Sequence, residues 1–274
     1  LASWTAANHF RLPRRGAIPP GYLADFSLSP TLNPWTPVRV FKRGVETARD
    51  GKILVSQSSW PHPPCPASPM HVTRLSAEDL QVPAQPGMLR VIGVREGTLL
   101  TEKLHKEPKV RDGLVQCDTG DDVIKLAVYN RYIPDRKPSV AFLHGLGLKK
   151  GAIAITVAHD SHNLIVAGVS DDAMVRVAGA VREAGGGAAI GAEEGPIEVL
   201  PLPIGGLMSD QPVATVAEGL KRLRDKAREW GSPLHSPLMA LSFLALPVIP
   251  ELKLTDMGLV DVSTFGFISL FEPV

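Results

Sequence analysis

Long apolar runs are missing from this sequence. The longest, Phe243 to Ile249, is broken by Pro247 and falls well short of the ~18 residues a membrane-spanning helix needs. The N-terminus shows no basic start, apolar middle and small-residue cleavage site, so no secretory leader is read there. Cysteine is scarce. Cys65 and Cys117 are the only two, and neither sits in a CxxC pair, which excludes a zinc knuckle or a dithiol redox motif. Such sparse cysteine fits reduced thiols in a cytoplasmic protein. An excess of one charge is also absent. The 29 basic and 28 acidic residues leave a formal charge of +1, which excludes a strongly basic nucleic-acid binder. Several catalytic signatures are missing: there is no GxxxxGK[ST] or helix-opening GxGxxG, and no GxSxG, HExxH or His-x-His.

What is present is ordinary globular material rich in turns. Hydrophobic residues make up 44% and charged residues 21%, a balance that can bury a core in a chain of 274 residues. Glycine and proline number 25 each, above their usual shares of roughly 7% and 5%.

The patterning divides the chain. Leu1 to Leu12 reads as the tail of a helix, with Ala2, Ala6, Ala7 and Phe10 on one side and Pro13 ending it. Turn signals follow at Gly16 and Pro20-Gly21. Phe26 and Leu28 alternate as in a strand, and strands are expected at Val38–Phe41, Gly44–Thr47 and Lys52–Val55. Asp50-Gly51 marks a hairpin between the last two. Residues 15–60 therefore read as a small β-subdomain. Ser58 to Pro69 carries Pro61, Pro63, Pro64, Pro66 and Pro69, which suits an extended connector. The linker is placed over 61–85, with a second domain over 86–274.

In that second part, strands are expected at Met88–Val94, Thr98–Lys103, Lys125–Arg131 (within Ile124-Lys-Leu-Ala-Val-Tyr129 and beyond), Val140–Phe142, Gly151–Ala158 and Leu164–Val169. Ser170 is placed to cap a helix whose apolar side is Met174, Val177, Ala178 and Val181, closed by Gly185-Gly186-Gly187. Ala188–Ile190 and Pro196–Leu202 read as a hairpin. Asp210 precedes a longer helix with Val213, Val216, Ala217, Leu220, Leu223 and Ala227 at helical spacing, ended by Gly231. Hairpins and helices without a steady βαβ rhythm point to an α+β fold.

Chemistry concentrates in Thr156-Val-Ala-His-Asp-Ser-His-Asn163, between two apolar strands. Two imidazoles, a carboxylate, a hydroxyl and an amide at a strand-to-strand turn suit proton transfer, substrate hydrogen bonding or metal ligation. A polar turn satisfying its own backbone is the competing reading. His159 and His162 have the spacing of two metal ligands, but no third is identifiable. Gly145 and Gly147, like Gly205-Gly206, are turns where backbone amides could approach a ligand, or plain turns. Asp210 reads as a helix cap or a site residue.

Three blocks go further than composition does. Lys149-Lys-Gly-Ala-Ile-Ala-Ile-Thr-Val-Ala-His-Asp-Ser-His-Asn-Leu-Ile-Val166, Leu200-Pro-Leu-Pro-Ile-Gly-Gly-Leu-Met-Ser-Asp210 and Leu241-Ser-Phe-Leu-Ala-Leu-Pro-Val-Ile-Pro-Glu-Leu-Lys-Leu-Thr-Asp-Met-Gly-Leu-Val260 resemble the C-terminal region of bacterial adenine deaminases. Asn8-His-Phe-Arg-Leu12 and Arg15-Gly-Ala-Ile-Pro-Pro-Gly-Tyr-Leu-Ala-Asp25 are similar to the segment that leaves the barrel in amidohydrolases. The resemblance implies conversion of adenine to hypoxanthine and ammonia by a metal-activated water. It also implies a divalent metal, manganese or iron, held in a (β/α)₈ barrel. That barrel would lie before Leu1, with residues 1–14 the end of its last helix, so no metal ligand is carried onto this chain. The implied partners are adenine, the catalytic barrel and further copies of the whole enzyme, with no nucleic acid and no membrane. His159, Asp160 and His162 stand as candidate catalytic residues. Ser161, Asn163, Gly145, Gly147 and Asp210 stand as candidate substrate contacts. A module that forms an interface or scaffold without activity of its own is the alternative, and a free-standing hydrolase built on the His159–His162 loop a third.

Overall fold

The computed structural model describes residues 3–55 and 70–273, and the chain divides into two compact units, Leu1–Pro64 and Cys65–Val274. Cys65 and the proline-rich stretch read as a connector lie outside the described residues, apart from the positions from Met70 onward.

The first unit opens with helix α1, Trp4–His9. Of the side expected to be apolar, Ala7 is buried while Ala6 and Phe10 are exposed, so the helix docks by one small residue. Gly16 makes that docking close. A Cβ there would fall 2.8 Å from the Ala7 Cβ and from the Ser3 carbonyl, and its φ is +82°. Four strands follow: β1 (Phe26–Leu28), β2 (Arg39–Lys42), β3 (Val45–Arg49) and β4 (Lys52–Ile53). They form an antiparallel sheet in sequence order. The expected Asp50-Gly51 turn is present with φ +47° and +74°, the positive pair that a two-residue hairpin turn requires. Phe26 and Phe41, register partners in β1 and β2, stack at 4.7 Å. Glu46 accepts from Arg49 and Arg39 together, which holds its carboxyl far below the usual carboxylate range.

In the second unit, residues 70–85 do more than link. Val72 and Leu80 are buried in the core beneath a short 3-10 turn, Ala77–Leu80, whose start Ser76 caps by accepting from the Glu78 amide. Then come β5 (Met88–Val94), β6 (Thr101–Lys106), β7 (Val110–Arg111), β8 (Leu114–Val115), β9 (Ile124–Tyr129), β10 (Ser139–His144), β11 (Ala152–Ile155) and β12 (Leu164–Gly168). Helix α2 (Asp171–Glu183) leads to β13 (Gly187–Gly191) and β14 (Glu198–Pro201), and α3 (Val213–Glu229) and α4 (Pro237–Ser242) follow. The chain ends with β15 (Leu252–Thr255), β16 (Gly258–Asp261), β17 (Gly266–Phe267) and β18 (Phe271–Glu272). β6 lies three residues later than expected, because the turn at Glu96-Gly97, with Gly97 at φ +76°, is followed by an irregular stretch to Leu100.

A nine-stranded sheet organises this unit in the order β14-β13-β11-β12-β9-β10-β5-β18, with β6 also on β5. All its pairings are antiparallel except β10 with β5, which makes the unit α+β. Antiparallel sheets usually leave one face to water, but the centre of this one is covered on both. Ile153, Ile155 and Ile165 meet Leu223 and Ala227 of α3 and Leu238 and Leu241 of α4. Ala152, Ala154 and Val166 meet Met174, Val177 and Val181 of α2. Every residue of β9, β11 and β12 is buried. That explains why β11 and β12 read as continuous apolar runs instead of alternating ones, and β9 as one broken only by Lys125, whose ammonium donates to Asp171 at 2.6 Å.

The α2 cap is as the sequence suggests: the Ser170 hydroxyl accepts from the Ala173 amide. The α3 cap is not. Pro212 occupies the cap position with no side-chain bond, and Asp210 accepts instead from the Gln211 side chain at 3.0 Å. Val213 and Leu220, placed on the apolar side of α3, are 85% and 43% exposed. Only the C-terminal half of that stripe is covered.

Candidate functional site

The polar segment Thr156–Asn163 joins the central strands β11 and β12, and buried groups hold it at both ends. Thr156 is fully buried. Its hydroxyl donates to the Gly206 carbonyl at 2.6 Å and accepts from the Gly187 amide at 2.8 Å. At the other end the buried Asn163 accepts from the Arg131 amide at 3.3 Å. The buried Arg131 guanidinium donates to the Gly205 carbonyl at 2.6 Å and lies over the Tyr132 ring, 5.1 Å from its centroid. Tyr132 in turn donates its hydroxyl to the Ser161 carbonyl at 2.7 Å. The Gly205-Gly206 turn, ambiguous in sequence, thus supports the loop from beneath.

Between these anchors the functional groups face different ways. The His159 amide donates to the Ser242 carbonyl at 3.0 Å, and its ring stacks on Phe243 at 4.2 Å with 9° between planes. His162 sits at φ +52°, its amide donating to the Ala158 carbonyl at 2.6 Å. The Nδ1 atoms of both histidines are buried without a hydrogen-bond partner. Burial, and then the Arg131 charge and the His159 ring, push the His162 pKa below its ordinary value, with Asp160 opposing. A neutral imidazole can donate from one nitrogen and accept at the other. Asp160 and Ser161 are exposed.

Two cavities flank the loop. Asp160 and Ser161 line an open one of about 520 Å³ together with Pro247, Asp256, Met257, Phe265 and Phe267. His159 and Ser242 line another of about 670 Å³ between α3, α4 and the sheet. Both are within the size range of small-molecule sites.

The remaining candidates lie elsewhere. The Gly145 and Gly147 amides donate to the two oxygens of Asp122 at 2.8 and 2.9 Å. A Cβ on Gly145 would fall 2.1 Å from the Val94 carbonyl, so its glycine is needed for close packing. Neither glycine, nor the exposed Asp210, lines either cavity. Sequence reasoning missed Arg131, Tyr132 and Phe243. The polar run Asn130-Arg-Tyr-Ile-Pro-Asp135, at the end of an apolar strand, was the available signal for the first two.

No group of three or more His, Cys, Asp or Glu residues able to hold a metal occurs among the described residues. The His159–His162 pair therefore does not fit a metal centre by itself. Cys117 is half-buried, its thiol pushed up to about 11 by burial and directed at the Gly168 carbonyl, which is the wrong state for a nucleophile. No helix among the described residues is long and apolar enough to cross a membrane.

Fold and loop together define an α+β domain that carries an internally braced polar loop at the end of the central strands of a doubly covered sheet. The profile of the adenine deaminase C-terminal domain matches residues 98–266, and the chain belongs to that family. It is 65% identical over 99% of its length to an adenine deaminase of Syntrophobacter fumaroxidans. It is 44% identical over 98% to adenine deaminase 2 of Carboxydothermus hydrogenoformans, and 40% identical over 99% to an adenine deaminase of Methanothrix thermoacetophila. In each case it covers 47% of the relative, so the chain spans about half the length of the curated relatives it matches.

Proposed function

We propose that this chain is the C-terminal portion of an adenine deaminase, in which its Thr156–Asn163 loop closes and shapes the purine pocket. The reaction consumes adenine and water and releases hypoxanthine and ammonia. The observation that carries the reading is the contrast within the loop. Thr156 and Asn163 are locked into the buried sheet, while Asp160 and Ser161 are exposed at a cavity, the Ser161 hydroxyl accepting only a long bond from the Asn163 amide at 3.5 Å. A braced loop with exposed polar groups is what substrate positioning asks of a scaffold. Adenine presents an exocyclic amine that donates and ring nitrogens that accept. The Asp160 carboxylate can take the amine and the Ser161 hydroxyl a ring nitrogen. His162, neutral near pH 7, can relay a proton to the departing ammonia. Asn163 acts as an internal brace. Gly145 and Gly147 have no part in this scheme, since Asp122 occupies their amides. Metal-activated water, with manganese or iron, belongs in this reading to a barrel outside the 274 residues.

Alanine at Asp160 or His162 in a full-length adenine deaminase containing this segment tests the proposal. A loss of at least tenfold in kcat/KM is expected with the fold retained. Unchanged kcat and KM for both variants would remove the loop from the pocket. The interface-module reading draws on the exposed apolar side chains of Val213, Leu220 and Met239. It would be favoured if the full-length protein released no ammonia from adenine.

A further inference from the structure

The 670 Å³ cavity between α3, α4 and the sheet has a composition that the deaminase reading does not use. Its floor and walls are apolar, with Leu200, Leu202, Val216 and Leu238 among them. No Asp or Glu lines it, whereas Lys221 and Arg224 do. Both cations come from α3, one turn apart. Their nearest acid is Asp225, which lies within 4.0 Å of Lys221, Arg224 and Arg228 together. One carboxylate facing three cations leaves positive charge over. The Nε of Arg224 makes no hydrogen bond and faces Asp225 Oδ1 only at 3.6 Å, so that shared carboxylate does not saturate the guanidinium. The cavity is thus an apolar slot with a cationic end.

We propose that this cavity binds an amphiphilic monoanion, an apolar chain ending in a carboxylate, with the carboxylate on Arg224 and Lys221 and the chain along α3 and α4. A carboxylate can engage the Arg224 guanidinium through two oxygens and neutralises charge that Asp225 alone, shared among three cations, leaves over. The chain covers apolar surface that the half-open stripe of α3 leaves to water, Leu220 included. A neutral alcohol fills the slot and accepts one hydrogen bond but brings no charge to the two cations, and a cationic amphiphile adds a like charge. The ligand is therefore selected by its head group. Val157 and His159 of the Thr156–Asn163 loop also line this cavity, whereas Asp160 and Ser161, which the proposed function gives to adenine, line the other one.

The test is calorimetric titration of the full-length protein containing this chain with decanoate below its micellar concentration, beside decyl alcohol and decyltrimethylammonium. Saturable one-to-one binding of decanoate is expected, at least tenfold tighter than the alcohol, with the ammonium weakest. Arg224→Gln and Lys221→Gln should each weaken decanoate three- to tenfold and leave the alcohol unchanged. Lys221 is largely exposed, so its variant keeps the fold even if Arg224→Gln does not. Leu220→Glu should abolish binding of all three. Equal affinity for acid and alcohol, no saturable binding, or an unchanged preference in Lys221→Gln would overturn the proposal. Self-association of the chain that Leu220→Glu dissolves and that decanoate does not compete with would overturn it too, by making a second copy the occupant.

Discussion

The ring of His159 lies parallel to that of Phe243, 4.2 Å away, across a separation of 84 residues in sequence. The same contact is continued by the backbone, where the His159 amide donates to the Ser242 carbonyl. The loop between β11 and β12 is therefore oriented by the C-terminal end of α4, not only by its own strands.

Phe243→Ala removes that orientation. An aromatic pair contributes ~1 kcal/mol beyond its buried area, and loss of a half-buried Phe adds the transfer and cavity terms. A destabilisation of about 2–3 kcal/mol is expected, measured by urea unfolding. Phe243→Tyr should retain most of it. If the His159 ring resonances of the alanine variant matched those of the parent, the stacking would not be what sets the ring.

His162 gives a pH signature. Its pKa lies below the ordinary value because of burial and the neighbouring Arg131 charge. The unfolded chain, with an ordinary imidazole, therefore binds more protons over the acid range. Stability tied to this residue is fully present above the unfolded value of about 6.5 and falls as pH drops through it toward the folded value. Two-dimensional NMR titration should place His162 below a denatured-state histidine. Arg131→Met should move it upward, and His162→Gln should flatten the acid limb of the stability curve. A His162 titration at or above the ordinary value would contradict the burial seen at its Nδ1.

How far the sequence reached depended on what each signal measured. Continuous apolar runs located β11 and β12, because both faces of the sheet are covered and every side chain there is buried. The loop at His159 was visible since polar groups interrupt two such runs. Arg131, Tyr132 and Phe243 were not, as their role arises from pairing across distant strands and helices, which local periodicity does not encode. Asp210 misled for a related reason. It has the chemistry of a cap, but the chain passes through Pro212 before α3 begins, so the helix starts beyond its reach. The apolar stripe of α3 was read correctly as a pattern, yet only Leu223 and Ala227 of it are buried. Spacing gives a face, and not what covers it.

Leu80 decides where the second unit begins. It falls in a stretch that proline content suggested was a linker, and it is completely buried with Val72 against α2 residues such as Val181. Leu80→Ala should cost about 3 kcal/mol if it belongs to the core and under ~0.5 kcal/mol if it lies in a linker. Chemical denaturation of the whole chain distinguishes the two. Removing residues before Arg74 should likewise weaken the unit by exposing the surface that Val72 covers.

Lys253 is the most unusual charge in the second unit. Its side chain is completely buried on β15, and its ammonium has one hydrogen bond, to the Leu99 carbonyl at 3.1 Å. No carboxylate forms an ion pair with it among the described residues. Burial alone lowers its pKa from 10.5 to about 8. Between those values the unfolded chain holds a proton that the folded chain has released, so stability rises with pH across that window. Below about pH 8 the folded protein carries the buried charge, at a cost on the order of 3 kcal/mol at most. Lys253→Met fills similar volume without the charge. It should raise the unfolding free energy at pH 7 by about 1–3 kcal/mol and remove the rise in stability between pH 8 and 10. Parallel unfolding curves at pH 7 and 9.5 check both parts. A variant less stable than the parent at both pH values would mean that the bond to Leu99 outweighs the desolvation of the ammonium.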